Sequence, residues 1–255
     1  MTRSIAVAGK GGTGKSTIAA LIILELCERK MGPVLAVDAD PDANLGVLLG
    51  IDVKRTIGDL REDVLKELAG LPAGMSKAQY FEAGLHEIIE EAEGFDLITM
   101  GRGEGSGCYC YLNSLIRKFS EDLFPSYRWV VMDNEAGLEH ISRRTTSNID
   151  ALLIVVNENP ISLKTAKNID IITRDLRNEI RSKYVVTNMV PRDKLENLRR
   201  SIEELGIIHL HDIPRDEKVE DLIFSGKSLR EINNAAVKKC IKDMMDKLMC
   251  VSLKF

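Results

Sequence analysis

Short apolar runs alternate with segments of helical period along most of the chain. Two of the runs, 151–156 and 183–187, are almost continuously apolar and β-branched, which is typical of strands buried on both faces of a sheet. Strands are predicted at 5–8, 33–37, 95–100, 127–132, 151–156, 183–187 and 207–213. Helices are predicted from residue 15, over 56–69, 77–92 and 112–123, from residue 163, and over 229–249. This alternation predicts an α/β fold in which helices cover both faces of a doubly wound, mostly parallel sheet.

Length and composition add limits to this picture. No repeat, low-complexity tract or linker interrupts the alternation, so residues 1–255 are predicted to form a single domain. The net charge of −4 gives no basic footprint for nucleic acid. No apolar run approaches the ~18 residues of a membrane span, and five cysteines, an odd number, argue against a secreted disulfide framework. We therefore expect a cytoplasmic protein that binds neither nucleic acid nor membrane.

The first predicted strand leads into a glycine-rich stretch, residues 9–17, that reads Gly-Lys-Gly-Gly-Thr-Gly-Lys-Ser-Thr. It fits the phosphate-loop pattern G-x-x-x-x-G-K-[ST], with the preceding strand and following helix that this motif requires. Glycines let successive N–H groups converge on phosphate oxygens, and the positive end of the helix adds to the anion site. Lys15 is predicted to reach the β- and γ-phosphates, and Ser16 to ligate Mg²⁺. The predicted nucleotide-binding residues here are Gly11, Gly12, Thr13, Gly14, Lys15, Ser16 and Thr17.

Carboxylates follow two of the predicted strands, at the sheet edge where open α/β folds bind ligands. Asp38, Asp40 and Asp42 follow the second strand, and Asp133 follows the 127–132 strand. Hydrolysis of a nucleoside triphosphate needs Mg²⁺ and a group that orients water against the γ-phosphate. Asp133 suits water-mediated contact with Mg²⁺, and Asp40 precedes a proline in a loop from which it can face the γ-phosphate. The alternative that these acids cap helices or turns stays open, chiefly for Asp38 and Asp42.

The lysine at position 10 makes the phosphate loop more specific. With Lys10 inside it, the loop resembles the deviant phosphate loop of the MinD/Mrp and nitrogenase iron-protein ATPases. The resemblance implies a P-loop NTPase fold, ATP and ADP as ligands with Mg²⁺, and a homodimer in which Lys10 contacts the nucleotide of the other subunit. Asp40 matches the water-orienting aspartate of the family's first switch, and residues 133–137 resemble the second switch. Lys10, Lys15 and Asp40 are therefore the predicted catalytic residues.

Two later motifs extend the resemblance over nearly the whole chain. Asn188 matches the asparagine with which this family reads the adenine, and Pro214 and Arg215 lie in a stretch that resembles the loop packing on the base. Asn134 and Glu135 depart from the pattern, because relatives often carry smaller or apolar residues in this switch.

A Cys-x-Cys pair follows a glycine-rich loop after the 95–100 strand. Thiolates are soft ligands suited to nickel, zinc, copper(I) or iron–sulfur clusters. One pair cannot complete a four-thiolate site, but a two-fold dimer can bring two pairs together across its axis. Cys108 and Cys110, with the Asp133–His140 stretch downstream, resemble the CooC-type nickel-insertion ATPases that mature carbon monoxide dehydrogenase. The resemblance implies that both cysteines of each subunit bind Ni²⁺, or Zn²⁺ in its place, and that the carbon monoxide dehydrogenase apoprotein is a partner.

Three alternatives stay open. The pair can be structural or reactive thiols, although a disulfide within Cys-x-Cys would be strained. A positioning ATPase of the MinD or chromosome-partition kind needs no metal, and could use the helix predicted over 229–249 as a membrane-surface anchor instead of packing it on the sheet. An iron–sulfur carrier could use the same four thiolates. The widely separated cysteines of the nitrogenase iron protein are missing, since no cysteine lies between Cys110 and Cys240.

The remaining cysteines and two histidines are assigned to packing. Cys27, Cys240 and Cys250 lie on predicted helices, where a free cysteine acts as a small apolar side chain. His209 and His211 alternate along the last predicted strand, and ordinary sheet packing is favoured there over a shared ion.

Overall fold

The computed structural model describes residues 2–66, 76–102, 110–135, 149–175, 180–233 and 236–252. The strands are β1 (Arg3–Gly9), β2 (Val34–Ala39), β3 (Glu90–Ala92), β4 (Phe95–Thr99), β5 (Trp129–Asn134), β6 (Ile149–Val156), β7 (Ile180–Asn188) and β8 (Ile208–Ile213). They form one eight-stranded sheet in the order β3-β4-β2-β5-β1-β6-β7-β8. Every pairing in it is parallel except the antiparallel pair β3–β4. The predicted doubly wound, mostly parallel α/β fold is confirmed.

Helices cover both faces of this sheet. They are α1 (Lys15–Glu28), α2 (Leu45–Leu49), α3 (Ile57–Lys66), α4 (Lys77–Glu87), α5 (Cys110–Leu123), α6 (Pro160–Asp175), α7 (Arg192–Glu204), α8 (Glu217–Phe224) and α9 (Ala236–Ser252). The apolar side chains of α1, α2, α8 and α9 join one core cluster, and those of α3 to α7 join the other. Successive residues of a strand point to opposite faces. Ile5 and Val7 of β1 accordingly belong to the first cluster and Ala6 and Ala8 to the second, which explains why the central strands are apolar throughout.

Two predicted helix boundaries are wrong. The helix predicted over 77–92 ends at Glu87, and Glu90–Ala92 forms the edge strand β3, whose two glutamates carry no strand signal. The last helix was predicted to begin at residue 229, but α9 begins at Ala236. Leu229–Glu231 is a separate 3₁₀ turn, because the Ser228 hydroxyl accepts a hydrogen bond from the backbone N–H of Arg230 at 3.1 Å and starts a short turn there. Helices α2, α7 and α8 were not among the predicted elements.

Helix α9 packs on the sheet through its apolar face. Five of its side chains are buried in the core cluster that also holds α1 and the end of β8: Val237, Ile241, Met244, Met245 and Leu248. The prediction that the last helix packs on the sheet is confirmed. None of the helices in the described part of the chain is both long enough and apolar enough to cross a membrane.

The three cysteines assigned to packing divide into two groups. Cys27 and Cys240 are half-buried against the same core cluster as α9, as predicted. Cys250 is exposed, so its prediction as an apolar filler is wrong, because position 250 falls on the solvent side of α9.

Truncating the buried face of α9 should destabilise the protein. Leu248 is fully buried, so Leu248→Ala should lower the free energy of unfolding by about 2–4 kcal/mol through lost apolar contacts and a residual cavity. Val251 on the same helix is 59% exposed, so Val251→Ala should change the free energy of unfolding by less than about 0.5 kcal/mol. Urea unfolding followed by circular dichroism measures both variants. If Leu248→Ala lowered the free energy of unfolding as little as Val251→Ala does, the result would contradict the packing of α9 on the sheet.

Candidate nucleotide site

The phosphate loop joins β1 to α1 in the middle of the sheet. Strand β1 pairs with β5 on one side and β6 on the other, so the loop lies at the carboxyl edge between two parallel neighbours. Gly14 precedes the first helical residue and has a left-handed backbone, with φ of +86°. A Cβ added to Gly14 would lie 2.4 Å from Nδ2 of Asn188. Both its backbone conformation and the close approach of Asn188 therefore require glycine at position 14.

Hydrogen bonds hold the loop in shape. Thr13 is fully buried, and its hydroxyl donates to the carbonyl oxygen of Lys10 at 2.8 Å. The side-chain amide of Asn188, at the end of β7, donates to the carbonyl oxygen of Thr13 at 2.8 Å. These contacts fix the loop before any ligand binds, which reduces the conformational entropy lost on binding.

The two lysines of the loop lie in different surroundings. Lys15 is the first residue of α1 and is buried, close enough to Asp133 to lower the pKa of that carboxyl. Lys10 is half-exposed, and its ammonium group lies 3.4 Å from the carbonyl oxygen of Gly11. Ser16 and Thr17 follow Lys15 on α1 and are half-buried. Lys15 therefore faces inward to the site, whereas Lys10 remains at the surface.

Asp133 is a buried carboxylate at the end of β5. Neither of its oxygens meets the geometry of a hydrogen bond with any described residue. Burial raises its pKa to about 6, and repulsion from Asp40 adds to the rise, while the Ser16 hydroxyl and the Lys15 ammonium oppose it. Buried carboxylates are normally paired or bound to a metal. Oxygen donors are also the ligands that Mg²⁺ prefers, so Asp133 and Ser16 fit a magnesium ion.

Asp38 on β2 is buried beside Asp133, its register partner on β5. Its carboxylate accepts hydrogen bonds from the backbone N–H groups of Leu45 at 2.9 Å and Asp40 at 3.2 Å. Burial raises the pKa of Asp38 to about 7, with further repulsion from Asp133. The contact with Leu45, the first residue of α2, favours the capping interpretation for Asp38.

Asp40 and Asp42 lie in the loop that follows β2. Asp40 is half-buried, and one of its carboxylate oxygens accepts a hydrogen bond from the backbone N–H of Asp42 at 3.0 Å. Asp42 is exposed, and its carboxylate lies 3.6 Å from the guanidinium of Arg102. Asp40 therefore lies close enough to Asp133 to raise the pKa of that carboxyl, whereas Asp42 is exposed and pairs with Arg102.

The predicted base-binding residues lie at the neighbouring strand ends. Asn188 pairs with Ile213 across β7 and β8, and Pro214 and Arg215 follow directly. The Arg215 guanidinium makes two hydrogen bonds of 2.8 Å to Glu220, and its side chain is exposed. All three residues are thus at the edge that holds the phosphate loop, and their contact with adenine stays a prediction.

Asn134 makes a hydrogen bond between two strands that the sequence did not indicate. Its buried side-chain amide donates to the carbonyl oxygen of Val7 at 3.1 Å and joins β5 to β1 beside the phosphate loop. This contact satisfies the side-chain amide of a polar residue that is buried at the end of β5. A buried asparagine at a strand end was the available signal, but its partner lies 127 residues away in sequence.

The cysteine pair lies largely outside the described residues. Cys108 is not described, and Cys110 is described only as the first residue of α5. Within the described ranges, no cluster of three or more histidine, cysteine, aspartate or glutamate side chains could hold a metal. His209 lies 3.1 Å from Asp212, and His211 lies 3.3 Å from the Lys247 ammonium, so the two rings have different partners.

Comparison with known proteins agrees with this geometry. Residues 4–229 match the CbiA family, described as the CobQ/CobB/MinD/ParA nucleotide binding domain. The chain belongs to this family. An uncharacterized ATP-binding protein of Methanocaldococcus jannaschii is 39% identical over 249 residues, which cover 96% of this chain and 98% of that protein. The carbon monoxide dehydrogenase accessory protein CooC of Rhodospirillum rubrum is 35% identical over 187 residues, which cover 68% of this chain and 69% of CooC.

Solved structures of the same family share the fold. The MinD cell division protein of Aquifex aeolicus superposes with a TM-score of 0.71 at 22% identity, over 98% of both chains. A ParA family ATPase of Chlorobium tepidum gives a TM-score of 0.73 at 20% identity, over 95% of this chain and 98% of that one. The chain is therefore a P-loop protein of an ATP-binding ATPase family, with its phosphate loop at the position that the sequence predicted.

The raised pKa of Asp38 predicts that the nucleotide-free protein loses stability as pH rises from about 4 to about 7. A carboxyl whose pKa is raised by folding favours the folded state while protonated, and this contribution is lost as pH rises through the folded-state pKa. For Asp38 that value is about 7, against an ordinary 3.8. The lowered pKa of His211 acts in the opposite direction over part of this range, so the measurement has to be a difference between variants.

Asp38→Asn supplies that difference. Wild type should exceed the variant in free energy of unfolding at pH 5, and the gap should shrink by on the order of 1–3 kcal/mol at pH 8. Urea unfolding of both proteins without nucleotide measures the gap. A gap independent of pH would contradict the raised pKa of Asp38.

Proposed function

We propose that the chain is an ATPase whose ATP-bound homodimer holds one nickel ion through Cys108 and Cys110 of both subunits and supports its insertion into carbon monoxide dehydrogenase. The observation that carries the proposal is the Cys-x-Cys pair that leads into α5, in a chain 35% identical over 187 residues to the accessory protein CooC. A cytoplasmic location belongs to the same proposal, because the pair has to stay reduced to bind metal.

In this proposal the nucleotide site would supply the residues for ATP hydrolysis. Backbone N–H groups of the phosphate loop and the buried Lys15 would bind the phosphates, while Asp133 and Ser16 would hold Mg²⁺ directly or through water. Bound Mg²⁺ neutralises charge on the phosphate oxygens. Asp40 would orient the attacking water from the adjacent loop. Asn188, Pro214 and Arg215, at the strand ends beside the loop, would contact the adenine.

The surroundings of Lys10 support the homodimer in this proposal. Its ammonium group stays at the surface although it belongs to the phosphate loop, so it is available to the nucleotide of a second subunit. A two-fold dimer closed by ATP would bring two Cys-x-Cys pairs together and complete a four-thiolate site. Nickel would then favour the dimer by mass action, and ATP and nickel would strengthen each other's binding by the same factor.

The two lysines should separate nucleotide binding from dimer formation. Lys15→Ala should lose nucleotide binding, and with it the dimer, because it removes the buried ammonium that faces the phosphates. Lys10→Ala should lose the ATP-dependent dimer and hydrolysis while nucleotide still binds to the monomer. Sizing with light scattering, with and without a non-hydrolysable ATP analogue, and nucleotide titration measure these effects. A Lys10→Ala protein that still dimerises with the analogue would rule out the proposed role of Lys10.

Nickel should bind at one ion per two chains and depend on the cysteine pair. Anaerobic titration with Ni²⁺ and Zn²⁺, with and without the ATP analogue, measures this by mass analysis and sizing together. The double variant Cys108→Ser/Cys110→Ser should lose stoichiometric metal and keep nucleotide binding. Cys240→Ser/Cys250→Ser is the matched control and should keep the metal, since both positions lie on α9.

The other outcomes of this titration are equally specific. Retention of one nickel ion per dimer in the Cys108→Ser/Cys110→Ser variant would overturn the proposal. A dimer that forms with the analogue but ignores both metals would favour a positioning ATPase, although the apolar face of α9 is already buried and is not free to act as an anchor. A brown colour in anaerobically prepared protein would favour an iron–sulfur carrier.

A further inference from the structure

A cluster of polar side chains lies beside the strand ends that carry the predicted base-binding residues. Its members, which belong to β7, α7 and β8, are Thr187, Arg199, His209 and Asp212. We propose that Asp212 is a positioning residue that makes the nucleotide site selective for adenine, because it fixes the end of β7 from which Asn188 would read the base. The inference rests on the proposed function only in taking Asn188 as the residue that contacts the adenine.

A β-bulge in β8 brings two of these side chains to the same face of the sheet. In a regular strand, residues three apart such as His209 and Asp212 point to opposite faces. The register with β7 skips Leu210 after the pair of Val185 with His209, so Leu210 is an extra residue in β8. The His209 ring consequently lies 3.1 Å from the Asp212 carboxylate. Bulges of this kind often re-aim side chains next to functional sites.

The contacts of the neighbouring residues agree with this division of β8 between two faces. Leu210 belongs to the core cluster that contains α9, and the His211 ring lies 3.3 Å from the Lys247 ammonium on the same helix. Asp212 instead forms an ion pair with Arg199 of α7, which covers the opposite face. The bulge therefore directs Asp212 into a polar cluster between β7, β8 and α7.

The Asp212 carboxylate accepts hydrogen bonds from three side chains. The donors are the Thr187 hydroxyl, the Arg199 guanidinium and the His209 ring. Burial raises the pKa of Asp212, but these three hydrogen bonds outweigh burial and hold the pKa below its ordinary range. Asp212 is therefore a charged acceptor at neutral pH, and hydrogen bonds to a charged acceptor are stronger than those between neutral groups.

Thr187 connects this carboxylate to the base-binding edge. It is 1% exposed, so its hydroxyl depends on partners inside the protein. The hydroxyl donates to Asp212 and also lies 3.4 Å from the His209 ring. Thr187 and Asp212 are register partners, and the next pair along the two strands is Asn188 and Ile213. The hydrogen bond between Thr187 and Asp212 thus joins the two strands directly before the residue that is predicted to read the base.

Asn188 is held on both sides by contacts that depend on the end of β7. Its side-chain amide donates to the carbonyl oxygen of Thr13 at 2.8 Å. Met189, the next residue, has a left-handed backbone with φ of +56°, and its N–H donates to the carbonyl oxygen of Ile213 at 2.9 Å. A residue other than glycine keeps such a conformation only where the surrounding contacts fix it. The end of β7 therefore depends on its pairing with β8, which Asp212 reinforces.

The side-chain oxygen of Asn188 would supply the selectivity. An amide oxygen accepts hydrogen bonds, which suits the 6-amino group of adenine and not the 6-carbonyl oxygen of guanine. The predicted phosphate-binding residues lie on a different part of the chain, between β1 and α1. Displacement of the β7 end should therefore weaken the binding of adenine nucleotides and leave that of guanine nucleotides nearly unchanged.

The test measures the ratio of the affinities for non-hydrolysable ATP and GTP analogues, by calorimetric titration with Mg²⁺ present. Asp212→Asn removes the charge that holds the cluster together. It should reduce the preference for the ATP analogue about three- to tenfold, through weaker binding of that analogue alone. A general loosening of the site would instead lower both affinities together.

Variants of Thr187 test the same hydrogen bond from its other end. Thr187→Val keeps the shape of the side chain and removes the hydroxyl, so it should lower the ratio as Asp212→Asn does. Thr187→Ser keeps the hydroxyl and should retain most of the ratio. Because the two residues act through one bond, Asp212→Asn/Thr187→Val should lower the ratio no further than Asp212→Asn alone.

Asp170→Asn is the matched control. Asp170 on α6 is also a buried carboxylate in an ion pair with a residue of β7, but its partner is Lys183, which lies earlier in the strand. This variant should lose stability in urea unfolding and keep the ratio of the wild type. An equal fall of the ratio in Asp170→Asn would show that lost stability, and not positioning, changes the selectivity, and the inference would fail.

The remaining outcomes separate this inference from the proposed function. If wild type prefers the ATP analogue and both Asp212→Asn and Thr187→Val keep that preference, the inference fails and the adenine contact of Asn188 stands. If wild type binds the two analogues equally, Asn188 does not read the base, and the inference fails together with that part of the proposed function. Neither titration uses nickel, so failure of the metal proposal would leave this inference intact.

Discussion

Negative charge buried at the carboxyl edge of the sheet is the constraint on which the site depends. Asp38 and Asp133 are register partners on β2 and β5, both are fully buried, and Asp40 lies close enough to raise the pKa of Asp133. Burying like charges side by side costs free energy. The Lys15 ammonium and the Ser16 hydroxyl offset only part of that cost, because the pKa of Asp133 remains raised. Burial and repulsion therefore disfavour the ionised form of both carboxyl groups, and a bound cation would favour it.

Side-chain hydrogen bonds between segments far apart in the sequence help to hold the strand ends and loops around these carboxylates. Asn188 ties β7 to the carbonyl oxygen of Thr13, and Asn134 ties β5 to the carbonyl oxygen of Val7. Buried polar groups are costly unless they are satisfied, so such contacts fix a unique arrangement of the strand ends. A backbone hydrogen bond from the N–H of Met100, which follows β4, to the carbonyl oxygen of Asp38 adds a further contact at this edge.

The sequence predicted the parts of this structure that depend on neighbouring residues. The phosphate loop, the strand before it and the helix after it are encoded within residues 5–28, and the central strands are visible as apolar runs because both faces of the sheet are covered. The tie between Asn188 and Thr13 joins residues 175 apart, and no local pattern encodes it. Edge strand β3 was not predicted, because it has no apolar pattern of its own. It forms only by antiparallel pairing with β4. The surroundings of Cys108 and Cys110 stay a prediction.

Strand β3 also determines how the sheet ends. It is three residues long and contributes Glu90 and Glu91 at the outer edge, next to β4, whose residues are mostly buried. Exposed sheet edges recruit strands from other molecules, and short charged edge strands prevent this. Without β3, the backbone of the apolar strand β4 would be unpaired and open to pairing with another copy of the chain. The small antiparallel ribbon therefore protects the protein against aggregation.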